Sequence, residues 1–329
     1  MNSEFGISLE GNEALDSLRA MIRLADEGGV STIWLASHLF QREPIATAAM
    51  VLSSTKNVRV ALMAMSPYSV HPVYSTMAAA TLNEQFPGRV TLCFGVGAPR
   101  DLEAAGLKAD QPLATLRESI NVARSLLSGE IVQHAGDRFQ ITGRRLAIGA
   151  QSLPIFLAAS GPQMLELAGA SADGVLLSAA TSPAFLRWTL DLVRKGEQKA
   201  GRTIKKSALV YVSTDETATV AHDRLRRTLG FILRGQHHAR NLEMAGTTLD
   251  QEALVAAYAR EDWPAVASLV NDDVVVRHSA SGTSDEVTAA LRVYESVGLE
   301  EIVSAGMTTP PQLSSVLRSL GRARWYGAL

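Results

Sequence analysis

The chain has 329 residues, 47% of them hydrophobic, and a formal net charge of −2 at pH 7. No basic excess draws it to nucleic acid or to an anionic membrane surface, and no apolar run approaches the roughly 18 residues of a membrane span. Its lone cysteine, Cys93, sits in an apolar strand, where it reads as a small buried hydrophobe and permits no intrachain disulfide. The start, with Glu4 where a secretory leader would be basic, points to the cytoplasm.

In chain order, Phe5 to Leu9 reads as a first strand. A helix follows, with Leu15, Leu18, Ile22 and Ala25 at helical spacing and Gly28-Gly29 as its stop. Val30 to Leu35 is a second strand, ending in Ala36-Ser37-His38. Pro44 to Ser53 is a helix and Val58 to Met63 a third strand. The next loop is rich in special residues, Ser66-Pro67-Tyr68-Ser69, and His71 to Gln85 is the helix after it. Val90 to Phe94 is strand four, running into Gly95-Val96-Gly97-Ala98-Pro99, and a helix covers Leu113 to Leu127. Residues Gly129 to Gly149 break the rhythm with short alternating runs around Gly136-Asp137, which suggests an inserted hairpin. Alternation resumes with strand Pro154 to Ala159, helix Pro162 to Gly169, strand Asp173 to Leu177, helix Pro183 to Ala200 and strand Ala208 to Ser213. From Glu216 to Leu269 the pattern is helical throughout, too much for one crossover, so a helical insertion is expected over about 216–270. Thr283 and Glu286 form a capping box for a helix to Val297. Glu301 to Ser304 is the last strand and Pro310 to Leu320 the last helix.

Strand–helix alternation without hairpin spacing argues for a parallel sheet with right-handed crossovers. Eight such units over this length favour a closed (β/α)8 TIM barrel over an open doubly wound sheet, as one domain across 1–329. Function in such a barrel sits just past the C-terminal ends of the strands, and those positions here are mostly small and polar. That rim suits a large flat ligand. No cluster of His, Asp and Glu has metal-ligand spacing, and His237-His238 reads as a solvated helical face. His38 ends strand two; it orients a ring or donates a proton, or is simply a hydrogen-bonded structural histidine. His71, before Pro72, reads as a cap. Ala159-Ser160-Gly161-Pro162 joins a strand to a helix N-terminus, which is either a phosphate cradle or an ordinary tight turn. Gly95-Val96-Gly97 lacks the third glycine of a dinucleotide fingerprint.

These segments together resemble the bacterial-luciferase-like flavin and deazaflavin oxidoreductases. The resemblance rests on Phe5-Gly6-Ile7, Ile33-Trp34-Leu35 with Ser37-His38, and Ser66-Pro67-Tyr68 with His71-Pro72. It continues through Pro87-Gly88-Arg89, Gly95-Val96-Gly97, Leu153-Pro154-Ile155 and the run Ala159 to Gly174. It spans nearly the whole chain. Pro-Tyr-x-x-His-Pro leans toward the branch that uses the deazaflavin coenzyme F420, which includes methylenetetrahydromethanopterin reductase.

The resemblance implies a barrel with the cofactor ring over its mouth. It implies a non-prolyl cis peptide at Met63-Ala64 backing the ring, Ser66 in the wall beside it, Ser37-His38 next to the ring, and Ala159 to Pro162 at the cofactor phosphate. It further implies hydride transfer on coenzyme F420 and a homodimer. An FMN-dependent monooxygenase and a non-catalytic cofactor-binding barrel are the alternatives. Departures from the branch are specific. Ser37 stands where relatives often have Asp, Met63 where they often have Gly, and Ser8 where the reductases have a carboxylate. Pro99-Arg100-Asp101 stands where some have an acid, which leaves His38 or Asp101 to deliver a proton.

Overall fold

The computed structural model describes residues 3–322; residues 1–2 and 323–329 of the expected domain lie outside it. The first half alternates β1 (Glu4–Leu9), α1 (Leu15–Glu27), β2 (Thr32–Ala36), α2 (Pro44–Ser54), β3 (Arg59–Met65), α3 (Pro72–Gln85) and β4 (Val90–Phe94). Two helices follow, α4 (Pro99–Ala104) and α5 (Pro112–Leu127), then β5 (Val132–Ala135) and β6 (Gln140–Arg144). The rhythm returns with β7 (Ile155–Ala159), α6 (Pro162–Ser171), β8 (Gly174–Leu177), α7 (Pro183–Ala200) and β9 (Lys205–Thr214). Five helices come next: α8 (Ala218–Leu233), α9 (Ala239–Ala245), α10 (Gln251–Ala259), α11 (Trp263–Leu269) and α12 (Asp272–His278). The chain closes with β10 (Ala280–Gly282), α13 (Ser284–Ser296), β11 (Glu301–Ala305) and α14 (Pro310–Ser319).

Strands β1, β2, β3, β4, β7, β8, β9 and β11 pair in parallel, and β8 with β9 and β11 with β1 close the ring. This is the TIM barrel that the alternation predicts. Its strands are buried on both faces, which is why a segment such as Thr32–Ala36 is apolar almost without interruption. The helices show the complementary pattern. In α1, Leu18, Met21, Ile22 and Ala25 form the buried face, at spacings of three and four.

The ends of the elements obey local chemistry. His71 caps α3, its Nδ1 accepting from the Val73 N–H at 3.2 Å, and its ring meets Phe139 edge-on at 5.0 Å. Glu286 accepts from the Thr283 N–H at 2.7 Å and hydroxyl at 2.8 Å, fixing the start of α13. The break at 129–149 is an antiparallel hairpin of β5 and β6, whose turn is held by Glu118 accepting the N–H groups of Asp137, Arg138 and Phe139 at 3.1 Å each.

The two ends of the barrel differ in character. At the N-terminal end, Glu301 is 1% exposed yet fully partnered: Trp34 Nε1–H at 3.3 Å, the Ser207 hydroxyl at 3.0 Å and Lys205 Nζ at 3.2 Å. A buried carboxylate satisfied on every side serves the fold rather than a reaction. The opposite end is open and carries the cavity described next.

Three elements lie outside the sequence expectation: α4, α12 and β10. The last adds to β9 in parallel, with Ala280 beside Val212.

Candidate active site at the barrel mouth

The floor of the mouth is built where β3 meets β4. The register between them slips from Leu62 to Met65, and the Met63-Ala64 peptide in the slip is cis. The Ser37 N–H donates to Met63 O at 2.5 Å, tying the end of β2 to this bulge. Gly95 follows β4 directly under Ala64. A Cβ on Gly95 would lie 2.7 Å from Ala64 Cβ and 3.3 Å from Ala158 Cβ, so only glycine fits. The result is a shelf of small side chains. Ser66 is buried behind it, donating to Val96 O at 2.6 Å and so fastening the loop after β3 to the loop after β4.

Above the shelf is a cavity of about 760 Å³, bordered among others by Ser37, His38, Met63, Ala64, Ala159, Ser160 and Gly161. It also takes in a carboxylate the sequence reading does not single out, Glu10. His38 Nε2 is 3.3 Å from Glu10 Oε2 and His38 Nδ1 is 3.6 Å from Asp101 Oδ2, so the imidazole stands between two carboxylates. The Ser8 hydroxyl donates to the other Glu10 oxygen at 2.8 Å. Hydrogen bonding to Glu10 raises the His38 pKa above the usual histidine value; partial burial opposes this, and the charges of Glu10 and Asp101 add to it. Burial works against the Glu10 charge, but His38 and Ser8 together hold its carboxyl below the ordinary range. The pair is therefore an ionised carboxylate against a histidine that keeps its proton into higher pH.

On the far side, α6 begins at Gly161. Pro162 occupies its first turn and no side chain caps it. A Cβ on Gly161 would meet nothing within 4 Å, so the approach to these backbone N–H groups is open.

The helical excursion closes the remaining wall. Thr228, Phe231 and Ile232 of α8, at i, i+3 and i+4, look into the cavity with His238. His238 is thus no solvated surface residue: it is 7% exposed, because the short turn at Gln236–His238 folds it inward. Behind it, Ala180 adopts φ +56° in the loop after β8 and is pinned by the excursion. Asn241 Nδ2–H and His278 Nδ1–H donate to Ala180 O at 2.8 and 3.1 Å, and the Thr247 hydroxyl donates to His278 Nε2 at 2.8 Å. Burial depresses both His238 and His278 to about 4, so both are neutral at pH 7.

The expected residues therefore fall into three groups. Ser37, His38, Met63, Ala64, Ala159, Ser160 and Gly161 face one cavity. Asp101 reaches His38 from α4, while Ser66 and Pro162 shape the loops behind. The signal for Glu10 was topological: Leu9 pairs with Leu35, so the residue just past β1 stands beside those just past β2.

Among the described residues no group of three or more His, Cys, Asp or Glu is arranged to hold a metal ion, and no helix is long and apolar enough to cross a membrane. Comparison with known proteins returns the same architecture. A 5,10-methylenetetrahydromethanopterin reductase of Archaeoglobus fulgidus is 28% identical over 321 residues, covering 95% of this chain and 96% of that one. The structure of the coenzyme F420-dependent tetrahydromethanopterin reductase of Methanopyrus kandleri superposes with a TM-score of 0.87 at 21% identity, covering 97% of this chain and 98% of that one. An F420-dependent secondary alcohol dehydrogenase, solved with an F420-acetone adduct, gives 0.81 at 21% identity over 98% and 100%. The family model described as luciferase-like monooxygenase matches residues 2–301, and with the closed barrel and the bulged β3 already in place, the chain belongs to that family.

Proposed function

We propose that the chain is an oxidoreductase that passes a hydride between the deazaflavin coenzyme F420 and a small organic substrate. One observation carries this reading: a small-residue shelf, a histidine held between two carboxylates and an uncapped helix N-terminus border or adjoin one cavity. The F420-dependent relatives named above support the choice of cofactor.

The residues present fit such a group. The shelf is flat because Ala64, Gly95 and Ala158 leave no bulk on it. The open N–H groups at Gly161 suit a phosphate. Ser37, Met63, Ala64 and Ala159 would hold the ring and Ser160, Gly161 and Pro162 the phosphate, with Ser66 keeping the wall in place. When bound, the cofactor supplies a ring carbon that accepts or gives a hydride.

The protein's own part is orientation and proton handling. His38 holds a proton at the cavity wall, and Glu10 and Asp101 strengthen its grip. A proton exchanged with a substrate oxygen passes to or from His38. Asp101, 31% exposed in its side chain, connects that site to solvent. Tyr211 also lines the cavity; burial, and then the charge of Glu10, push its pKa up, so its hydroxyl keeps its proton.

Titration of the purified protein with coenzyme F420 and with FMN, followed by absorbance and fluorescence, tests the reading. Tight binding of F420 is expected. Binding of FMN alone would move the chain to the monooxygenase reading, and binding of neither to a non-catalytic barrel. The same proposal takes the enzyme to be a cytoplasmic homodimer, and light scattering checks its mass.

A further inference from the structure

The substrate side of the cavity differs sharply from the shelf side. Its wall comes from the α8 face of Thr228, Phe231 and Ile232, with Leu209 and Tyr211 from β9. No lysine or arginine lines the cavity among the described residues. The stretch from α8 to α9 is nonetheless rich in arginine, and each of the following side chains is engaged in an ion pair or on an aromatic ring. Arg224 pairs with Asp215, and Arg226 with Asp223 and Asp272. Arg227 lies 3.8 Å over the Trp263 ring. Arg234 stacks at 4.1 Å on Phe231 and 4.8 Å on Tyr258, and Arg240 lies 4.1 Å over Trp188.

The charged groups on the cavity's own lining are instead Glu10 and His38, with Asp101 on the histidine's other side. An anionic substrate would leave water for an apolar wall whose one cation, the protonated His38, is already paired with Glu10 and Asp101. Burying an unpaired charge in that way is strongly unfavourable. A neutral oxygen-bearing substrate meets the opposite conditions. Phe231, Ile232 and Leu209 take its carbon skeleton, and its oxygen has two donors within the cavity, the Tyr211 hydroxyl and His38.

We infer that the substrate is an uncharged, largely apolar alcohol or carbonyl compound, seated against the α8 face and oriented through its oxygen by Tyr211. The inference rests on the oxidoreductase reading for its chemistry. It does not rest on that reading for its charge selectivity, which belongs to the walls.

The test is calorimetric binding of two probes, cyclohexanone and glucose 6-phosphate, to the protein loaded with coenzyme F420 and to the Gly161→Asp variant, so that in neither case can the sugar phosphate seat at the Gly161 N–H groups. Cyclohexanone is expected to bind at least about tenfold more tightly than the phosphate ester. Tyr211→Phe should weaken cyclohexanone binding while circular dichroism and melting stay unchanged. Thr228→Lys, a solvent-accessible change on the same α8 face, should reverse the preference by adding a cation. Equal or tighter binding of glucose 6-phosphate to the loaded protein or to the Gly161→Asp variant overturns the inference. So does a Tyr211→Phe variant with undiminished affinity. Failure of the unmodified protein to bind F420, with cyclohexanone still preferred by the Gly161→Asp variant, would count against the oxidoreductase reading and leave the wall assignment standing.

Discussion

Replacing Gly95 by alanine probes the shelf directly. The new methyl would sit 2.7 Å from Ala64 Cβ and 3.3 Å from Ala158 Cβ, whereas unstrained carbon contacts lie at about 3.5–4.0 Å. A methyl has no rotamer to escape into, so the backbone of the bulge has to move by about 1 Å. Overpacking of this kind costs about 1–3 kcal/mol. An unfolding entropy of about 2.1 cal/mol/K per residue over the 329 residues gives roughly 0.7 kcal/mol/K, so the melting temperature should fall by roughly 1.5–4 °C. Because the displaced group is the support for the ring, cofactor affinity should fall further, about tenfold or more. Calorimetry for melting and fluorescence titration for binding measure the two effects separately. Gly88→Ala is the control: φ is +74° there and nothing lies within 4 Å of the added methyl, so it loses stability without touching the cofactor. A Gly95→Ala protein that melts lower but binds the cofactor with unchanged affinity would refute the shelf.

Glu10→Gln removes the charge that helps raise His38, so the limb of the pH–rate profile set by that histidine should move to lower pH, with turnover reduced and the fold intact. A limb that stays in place would separate Glu10 from His38. His38→Ala should lower turnover far more than melting temperature; the reverse pattern would make it structural. Gly161→Asp should add a good cap to α6, gaining a few tenths of a kcal/mol, while repelling a bound phosphate and weakening cofactor affinity about tenfold or more. Imidazole resonances of His238 and His278 should titrate near pH 4 in the folded protein. Below about pH 6.5 the unfolded chain takes up protons that these folded histidines refuse, so stability should decline as pH falls toward 4. Denaturant midpoints across that range measure the decline.

The barrel was legible because its signals are local. Two-face burial makes each strand an unbroken apolar run, and the proline or cap after nearly every loop marks the next helix. The short elements were not legible for the same reason. β10 has three residues and exists through its pairing with β9, and α4 has six residues, fewer than two helical turns. The site divides along the same line. Ser37-His38 and Ser160-Gly161 announce themselves by ending a strand. Glu10 stands at the equivalent place past β1, but its role depends on where His38 comes to rest across the β1–β2 pair. His238 misled because two adjacent histidines in a helical stretch read as an outer face, while a single turn of tighter helix redirects one of them inward.

The hold that Asn241, Thr247 and His278 keep on Ala180 has a bearing on engineering. The loop after β8 takes its left-handed shape from side chains some 60 to 98 positions later in the chain. A graft that exchanged the 216–278 segment for a relative's, in order to change what the mouth accepts, would strip Ala180 of its fasteners, with the Tyr294 hydroxyl still on Thr181 O, unless all three side chains travelled with it. The unit of exchange is therefore the segment together with the Ser178–Ser182 loop.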